Sequence, residues 1–101
     1  MFVGIVRFEL FIPASRSLKE KRRVIRSLTD AVRRHCNVAI AEIDHQDLWQ
    51  RTALGVSCVA GSRAQCEKVL QQVEKTMART VVDGAEIVDR VFSYVSMEDL
   101  V

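Results

Sequence analysis

Ser17-Leu18-Lys19-Glu20-Lys21-Arg22-Arg23-Val24-Ile25-Arg26-Ser27-Leu28 starts a helix, carries most of the positive charge and sets the frame for the rest of the chain. Ser17 and Glu20 form an S-x-x-E capping box, in which each side chain satisfies an orphan backbone N–H at a helix start. Pro13 just upstream closes the preceding strand, because it has no N–H to give to a ladder. Leu18, Ile25, Leu28 and Val32, with Val24 and Ala31 at the margin, share one face at helical spacing and predict a helix from about Leu18 to His35. The opposite arc collects Arg16, Lys19, Arg22, Arg23, Arg26, Arg33 and Arg34, interrupted only by Asp30. Lys21 does not join them. At about 100° per residue it lands between Leu18 and Ile25, near the middle of the apolar face.

Outward from this helix, Phe2 to Ile12 alternates as a strand: Phe2, Val6, Phe8, Leu10 and Ile12 face one way, and Val3, Ile5, Arg7, Glu9 and Phe11 the other. Downstream, Asn37 breaks the helix and opens a second strand, Val38 to Ile43. The polar segment Asp44 to Gln50 predicts a hairpin connection of more than two residues. Arg51 to Ala60 follows as a third strand, with Leu54, Val56 and Cys58 toward the core. Ser62 with Gln65 repeats the capping signature, and a second helix runs to about Ala78, burying Cys66, Val69, Leu70, Val73 and Met77. Asp83-Gly84 is a turn signal. Ala85 to about Met97 forms a long fourth strand.

The order βαββαβ is the split unit of the ferredoxin-like α+β sandwich. Right-handed crossovers then give an antiparallel sheet in the order 4-1-3-2 with both helices on one face. Residues 1–97 form one domain, with a short tail at 98–101. The uncovered face displays Val3, Ile5, Arg7, Glu9 and Phe11 with Ala53, Gly55, Ser57 and Val59. The fourth strand adds either Phe92 and Tyr94 or Val91 and Val95. Half-apolar sheet faces are rarely left wet, so a homodimer or a docking partner is expected there.

At 101 residues, 49% hydrophobic and 28% charged, the composition is that of an ordinary globular domain. The net charge of +2 hides an asymmetry: residues 15–35 carry net +6 and the remainder net −4. One basic face on a slightly acidic body attracts polyanions more than the net charge suggests. The three cysteines have no C-x-x-C spacing, and Cys58 and Cys66 sit at apolar positions, which points to a reducing cytoplasm rather than a disulfide framework or a zinc site. The N-terminal apolar run is interrupted by Arg7 and Glu9 and is too short for a membrane span or signal peptide.

The topology gathers Ser15, Arg16, Ser17 and Lys21 near Asp44, His45, Asp47, Trp49 and Arg51. Lys21 is expected to reach Asp44 or Asp47, either as an ion pair sealing the core or as part of an anion site. That site would combine Ser15, Ser17, Lys21, His45 and Trp49 at the helix N-terminus. His45 between two carboxylates falls short of a stable zinc ligand set and lacks a tied nucleophile, so neither a metal nor catalysis is expected. Trp49, the single tryptophan, either plugs the end of the core or anchors an interface. The third strand has no aromatic residue, which argues against base reading in the manner of an RRM sheet. RNA would instead meet the basic arc through its phosphates.

The segments Ile12-Pro13-Ala14-Ser15-Arg16-Ser17-Leu18-Lys19-Glu20-Lys21-Arg22-Arg23 and Asn37-Val38-Ala39-Ile40-Ala41-Glu42, continuing through Gln46-Asp47-Leu48-Trp49-Gln50-Arg51 to Leu54-Gly55-Val56, resemble the YlxP-like family of small bacterial proteins of unknown function. The resemblance covers roughly residues 1–95. It implies a ferredoxin-like domain in the bacterial cytoplasm, with genes often lying among those for translation and ribosome maturation. It supplies no catalytic or ligand residues and no cofactor. A non-enzymatic binding protein associated with RNA or ribosomal particles is therefore expected, with a dimeric anion-sensing domain as the alternative.

Overall fold

The computed structural model describes residues 1–80 and 84–100. Alternation of apolar residues builds β1 (Phe2–Phe11), and the capped amphipathic segment builds α1 (Leu18–His35). The strands β2 (Ala39–Asp44) and β3 (Arg51–Ala60) form the hairpin, followed by α2 (Arg63–Arg79) and β4 (Glu86–Ser96). A short 3-10 helix, Met97–Leu100, ends the described chain. Asp83 lies outside the described residues, while Gly84 takes the left-handed conformation (φ 70°) that a turn before β4 needs.

The sheet order β2-β3-β1-β4, antiparallel throughout, is the ferredoxin-like arrangement. Phe8, Leu10, Leu54, Val56, Val24, Leu28, Val32, Leu70 and Val73 are buried together between sheet and helices. At the α1 start Ser17 Oγ accepts from the Glu20 N–H at 3.1 Å, as the capping box requires. The return bond differs: the Glu20 carboxylate takes the Arg16 N–H rather than that of Ser17. Ser62 Oγ likewise accepts from the Gln65 N–H.

The buried stripe of α1 is rotated from the one its apolar residues suggest. Val24 and Ala31 are buried, whereas Leu18 and Ile25 are half-exposed. Lys21 falls at the centre of the rotated stripe. The β4 alternative resolves toward Val91 and Val95 on the open face, since Phe92 pairs with Val6 and Tyr94 with Gly4 on the helix side. Phe8 and Phe92 meet edge to face, with ring centroids 6.3 Å apart. Gly4 allows α2 to approach: a Cβ there would lie 3.0 Å from Cys66 Cβ and 3.2 Å from Leu70 Cδ1.

Two bulges shape the sheet. In β2 the register slips between Glu42 and Asp44, so Ile43 is the extra residue. In β4 it slips opposite Glu9 and Leu10, leaving Val88 unmatched. A bulge re-aims the side chains beyond it, and the first of these decides the charge arrangement at the hairpin.

Candidate functional site

Three charged regions meet around the β2–β3 hairpin and the start of α1. The first is closed. Lys21 is only 1% exposed, and its Nζ lies 2.8 Å from Glu42 Oε2 while donating to the His45 carbonyl. Thr52 Oγ1, itself buried, donates to the same Glu42 oxygen at 2.7 Å. The expected partners Asp44 and Asp47 are thereby corrected to Glu42. The bulge at Ile43 carries Asp44 to the open side of the sheet, whereas Glu42 stays on the helix side in register with Ile40. The alternation Val38, Ile40, Glu42 was the signal that could have found it.

The second region lies on the open side. His45, held at φ 62°, places Nε2 3.1 Å from both carboxylate oxygens of Glu9. The Arg7 guanidinium pairs with Glu9 and reaches Asp44 at 3.4 Å, and Arg51 stands 3.6 Å from Glu9. Beneath this lattice Ala53 is fully buried despite lying on the uncovered face. The candidate anion site is therefore not assembled. The Lys21 charge is matched by Glu42, and Ser17 Oγ caps the helix. Ser15 Oγ donates to the Ser17 carbonyl, and the His45 ring turns to Glu9. Among the described residues no group of three or more His, Cys, Asp or Glu side chains could hold a metal ion.

The third region is the basic side of α1. Arg16, Lys19, Arg22, Arg23, Arg26, Arg33 and Arg34 are all exposed. Arg33 donates to the Ile40 carbonyl of the edge strand at 3.0 Å. The side chains of Arg16, Lys19, Arg22, Arg26 and Arg34 form no ion pair or hydrogen bond among the described residues. From Lys19 to Arg34 this row runs for about 22 Å at the helical rise. Their charge is thus left for solvent or a partner.

Trp49 does not plug the core: it is 55% exposed at the hairpin tip, beside exposed Leu48. Gln50 ties this tip to the loop before α1, its Nε2 donating to the Pro13 and Ser15 carbonyls at 3.0 and 3.2 Å. The other half of the open face is an apolar trough of about 550 Å³, lined by Ile5, Ala39, Ala41, Ile43, Gly55 and Val91 among others. Gly55 makes room for Ile43, whose Cγ2 would lie 2.9 Å from a Cβ placed there. The bulge and this glycine together form the trough wall. No described helix is long and apolar enough to cross a membrane.

Comparison with known proteins extends these findings. The chain is 41% identical over 88 residues to "Uncharacterized protein YlxP" of Bacillus subtilis (strain 168), which covers 77% of this chain and 96% of that protein. Among solved structures it is similar to a C-terminal segment of the alpha subunit of aIF2 from Pyrococcus abyssi, with a TM-score of 0.52 at 14% identity. That likeness covers 94% of this chain but only 51% of the archaeal segment, so the chain spans about half of it, and the likeness is one of fold. A family model described as "Protein of unknown function (DUF503)" matches residues 3–91. Over nearly its whole sheet and both helices, the chain therefore belongs to the DUF503 family.

Proposed function

We propose that this protein is a non-enzymatic, cytoplasmic RNA-binding protein that associates with RNA or ribosomal particles through the basic side of α1. The observation that carries this is the exposed cation set Arg16, Lys19, Arg22, Arg26 and Arg34, whose side chains form no ion pair or hydrogen bond among the described residues. Internal ion pairs would neutralise such a row, and like charges on one helix face repel, so a polyanion that neutralises them stabilises the bound state. Phosphate contacts of this kind release counterions and make affinity fall steeply with salt, with little sequence preference. The three cysteines are free thiols, consistent with a reducing compartment.

The test is co-sedimentation with ribosomes and salt-dependent binding of labelled RNA by the Arg22→Glu, Arg23→Glu, Arg26→Glu variant. Association should be lost while the circular dichroism spectrum and melting temperature are retained. Unchanged co-sedimentation would overturn the proposal.

The open face supports self-association as a second element. Strands of 10, 6, 10 and 11 residues present roughly 600 Å² in plan, of the order of the ~800 Å² per partner in a stable dimer. Ile5, Ile43, Val59 and Val91 stand as exposed ridges over a floor of Ala39, Ala41 and Gly55, a relief that a second copy can fill. Sedimentation equilibrium of Val91→Glu should give a monomer where the parent gives a dimer. A monomeric parent would remove this element and leave the RNA proposal standing.

A further inference from the structure

We infer that the hairpin tip Asp47–Arg51 is a site for one unpaired nucleobase, stacked on Trp49, so that the RNA met by α1 is single-stranded. The inference rests on the RNA-binding proposal and adds the class of RNA and a residue that selects it. Trp49 carries the largest apolar surface of any side chain type, yet among the described residues its ring has no aromatic or cation partner and its indole N–H donates to nothing. The ring is not on a slack loop. Leu48 N–H donates to the His45 carbonyl at 3.0 Å, the Gln50 carbonyl accepts from Ile12 N–H at 2.8 Å, and the Gln50 side chain holds the loop before α1. Asp47, Leu48, Trp49, Gln50 and Arg51 line a shallow, open depression of about 400 Å³.

The surroundings favour a nucleobase over a protein partner. A tryptophan that anchors a protein interface sits at the centre of an apolar patch. Here the residues flanking it in sequence, apart from Leu48, are Gln46, Asp47, Gln50 and Arg51, whose polar groups can meet a base edge. The lining of the depression itself is mostly apolar and suits the face of a base. Ser15, which accepts from Gln50, directly precedes Arg16. The tip therefore stands at the N-terminal end of the basic side of α1, where the phosphates flanking a stacked base would meet Arg16 and Lys19. Aromatic stacking beside a cationic groove is the usual construction of a single-strand site.

Asp47 supplies a preference. Its carboxylate makes no hydrogen bond or ion pair among the described residues, and an ionised carboxylate only accepts. Gln50 Nε2 is already used, which leaves its Oε1 as a second acceptor. Two acceptors beside the ring favour bases that present an exocyclic amino group, such as cytosine and adenine, over uracil, whose O4 is itself an acceptor.

The experiment combines emission of the single tryptophan with anisotropy of labelled oligocytidylate, oligouridylate and an RNA duplex of about a dozen nucleotides. Both are read on the full chain at low salt. Oligocytidylate should quench Trp49 and bind more tightly than oligouridylate, and the duplex should bind without quenching. Trp49→Ala should weaken oligocytidylate roughly tenfold or more, the range of a lost base stack, while Trp49→Phe retains most of the affinity and Asp47→Asn narrows the gap between the two oligomers. Trp49→Ala binding like the parent, with no quenching in the parent, would overturn this inference and leave the role of α1 intact. Quenching that survives charge reversal of Arg22, Arg23 and Arg26 would leave the stacking site and remove the role of α1. Failure of every RNA to bind would overturn both.

Discussion

Glu42 and Asp44 stand two residues apart on one strand, yet they belong to opposite sides of the sheet and to different electrostatic regimes. On the helix side, Lys21 and Thr52 are buried and both bind Glu42, whose side chain stays partly exposed at the edge strand. On the open side, Arg7, Glu9, Asp44, His45 and Arg51 pair with one another at the surface. Composition does not separate the two; the bulge at Ile43 does. Buried charges that lose a partner are left in a medium that cannot solvate them, whereas surface pairs exchange their partners for water. The covered side should therefore be intolerant of change and the open side forgiving.

The largest effect is expected at Glu42. Glu42→Gln leaves the Lys21 ammonium buried without a counter-charge, at about 3 kcal/mol, or roughly 15 °C in melting temperature for a domain this size. The triple variant Lys21→Met, Glu42→Leu, Thr52→Val should recover most of that loss, because an apolar set of similar volume has nothing to desolvate. Thermal denaturation of both variants checks the pair of statements, and a single variant as stable as the parent would erase the contrast between the two sides.

The glycines sharpen it next. Gly4→Ala drives a methyl against Cys66, Cys58 and Leu70 in the core, an overpacking of about 2 kcal/mol. Gly55→Ala makes an even closer nominal contact, but with Ile43, an exposed side chain that can turn away. It should cost under about 1 kcal/mol, measurable by urea denaturation. The surface lattice should yield least: Arg7→Ala is expected to change stability by about 0–1 kcal/mol, and less at high salt.

An alkaline limb completes the series. Burial, followed by the nearby Glu67 charge, raises the Tyr94 phenol above its ordinary value of 10.0, although Arg63 over the ring opposes this. The folded state therefore holds this proton more tightly than the unfolded chain. The associated stability is complete below about pH 10 and is lost as pH rises through the folded value. Tyr94→Phe should flatten that part of the pH profile and leave neutral pH unchanged.

The first helix, the third strand and the strand order were legible because each rests on local chemistry. A capping serine, helical or twofold spacing of apolar residues, and the handedness of crossovers need no distant partner to be recognised. Lys21 was legible as an inward-facing charge for the same reason. Its partner was not, because the expectation placed Asp44 and Asp47 closest to it, and a bulge invisible to simple alternation sent Asp44 to the other face.

The buried stripe of α1 and the role of Trp49 depended equally on neighbours. Val24 and Ala31 are buried while Leu18 and Ile25 are half-exposed, and Trp49 stands exposed on a hairpin tip that Gln50 ties to the loop before α1. The amino-acid sequence by itself determined the elements, their order and the cations along one helix, all set by interactions within a few residues. Only the tertiary structure decided which carboxylate meets Lys21, which side chains of β4 are covered and where the aromatic ring stands, since those follow from packing between elements far apart in the chain.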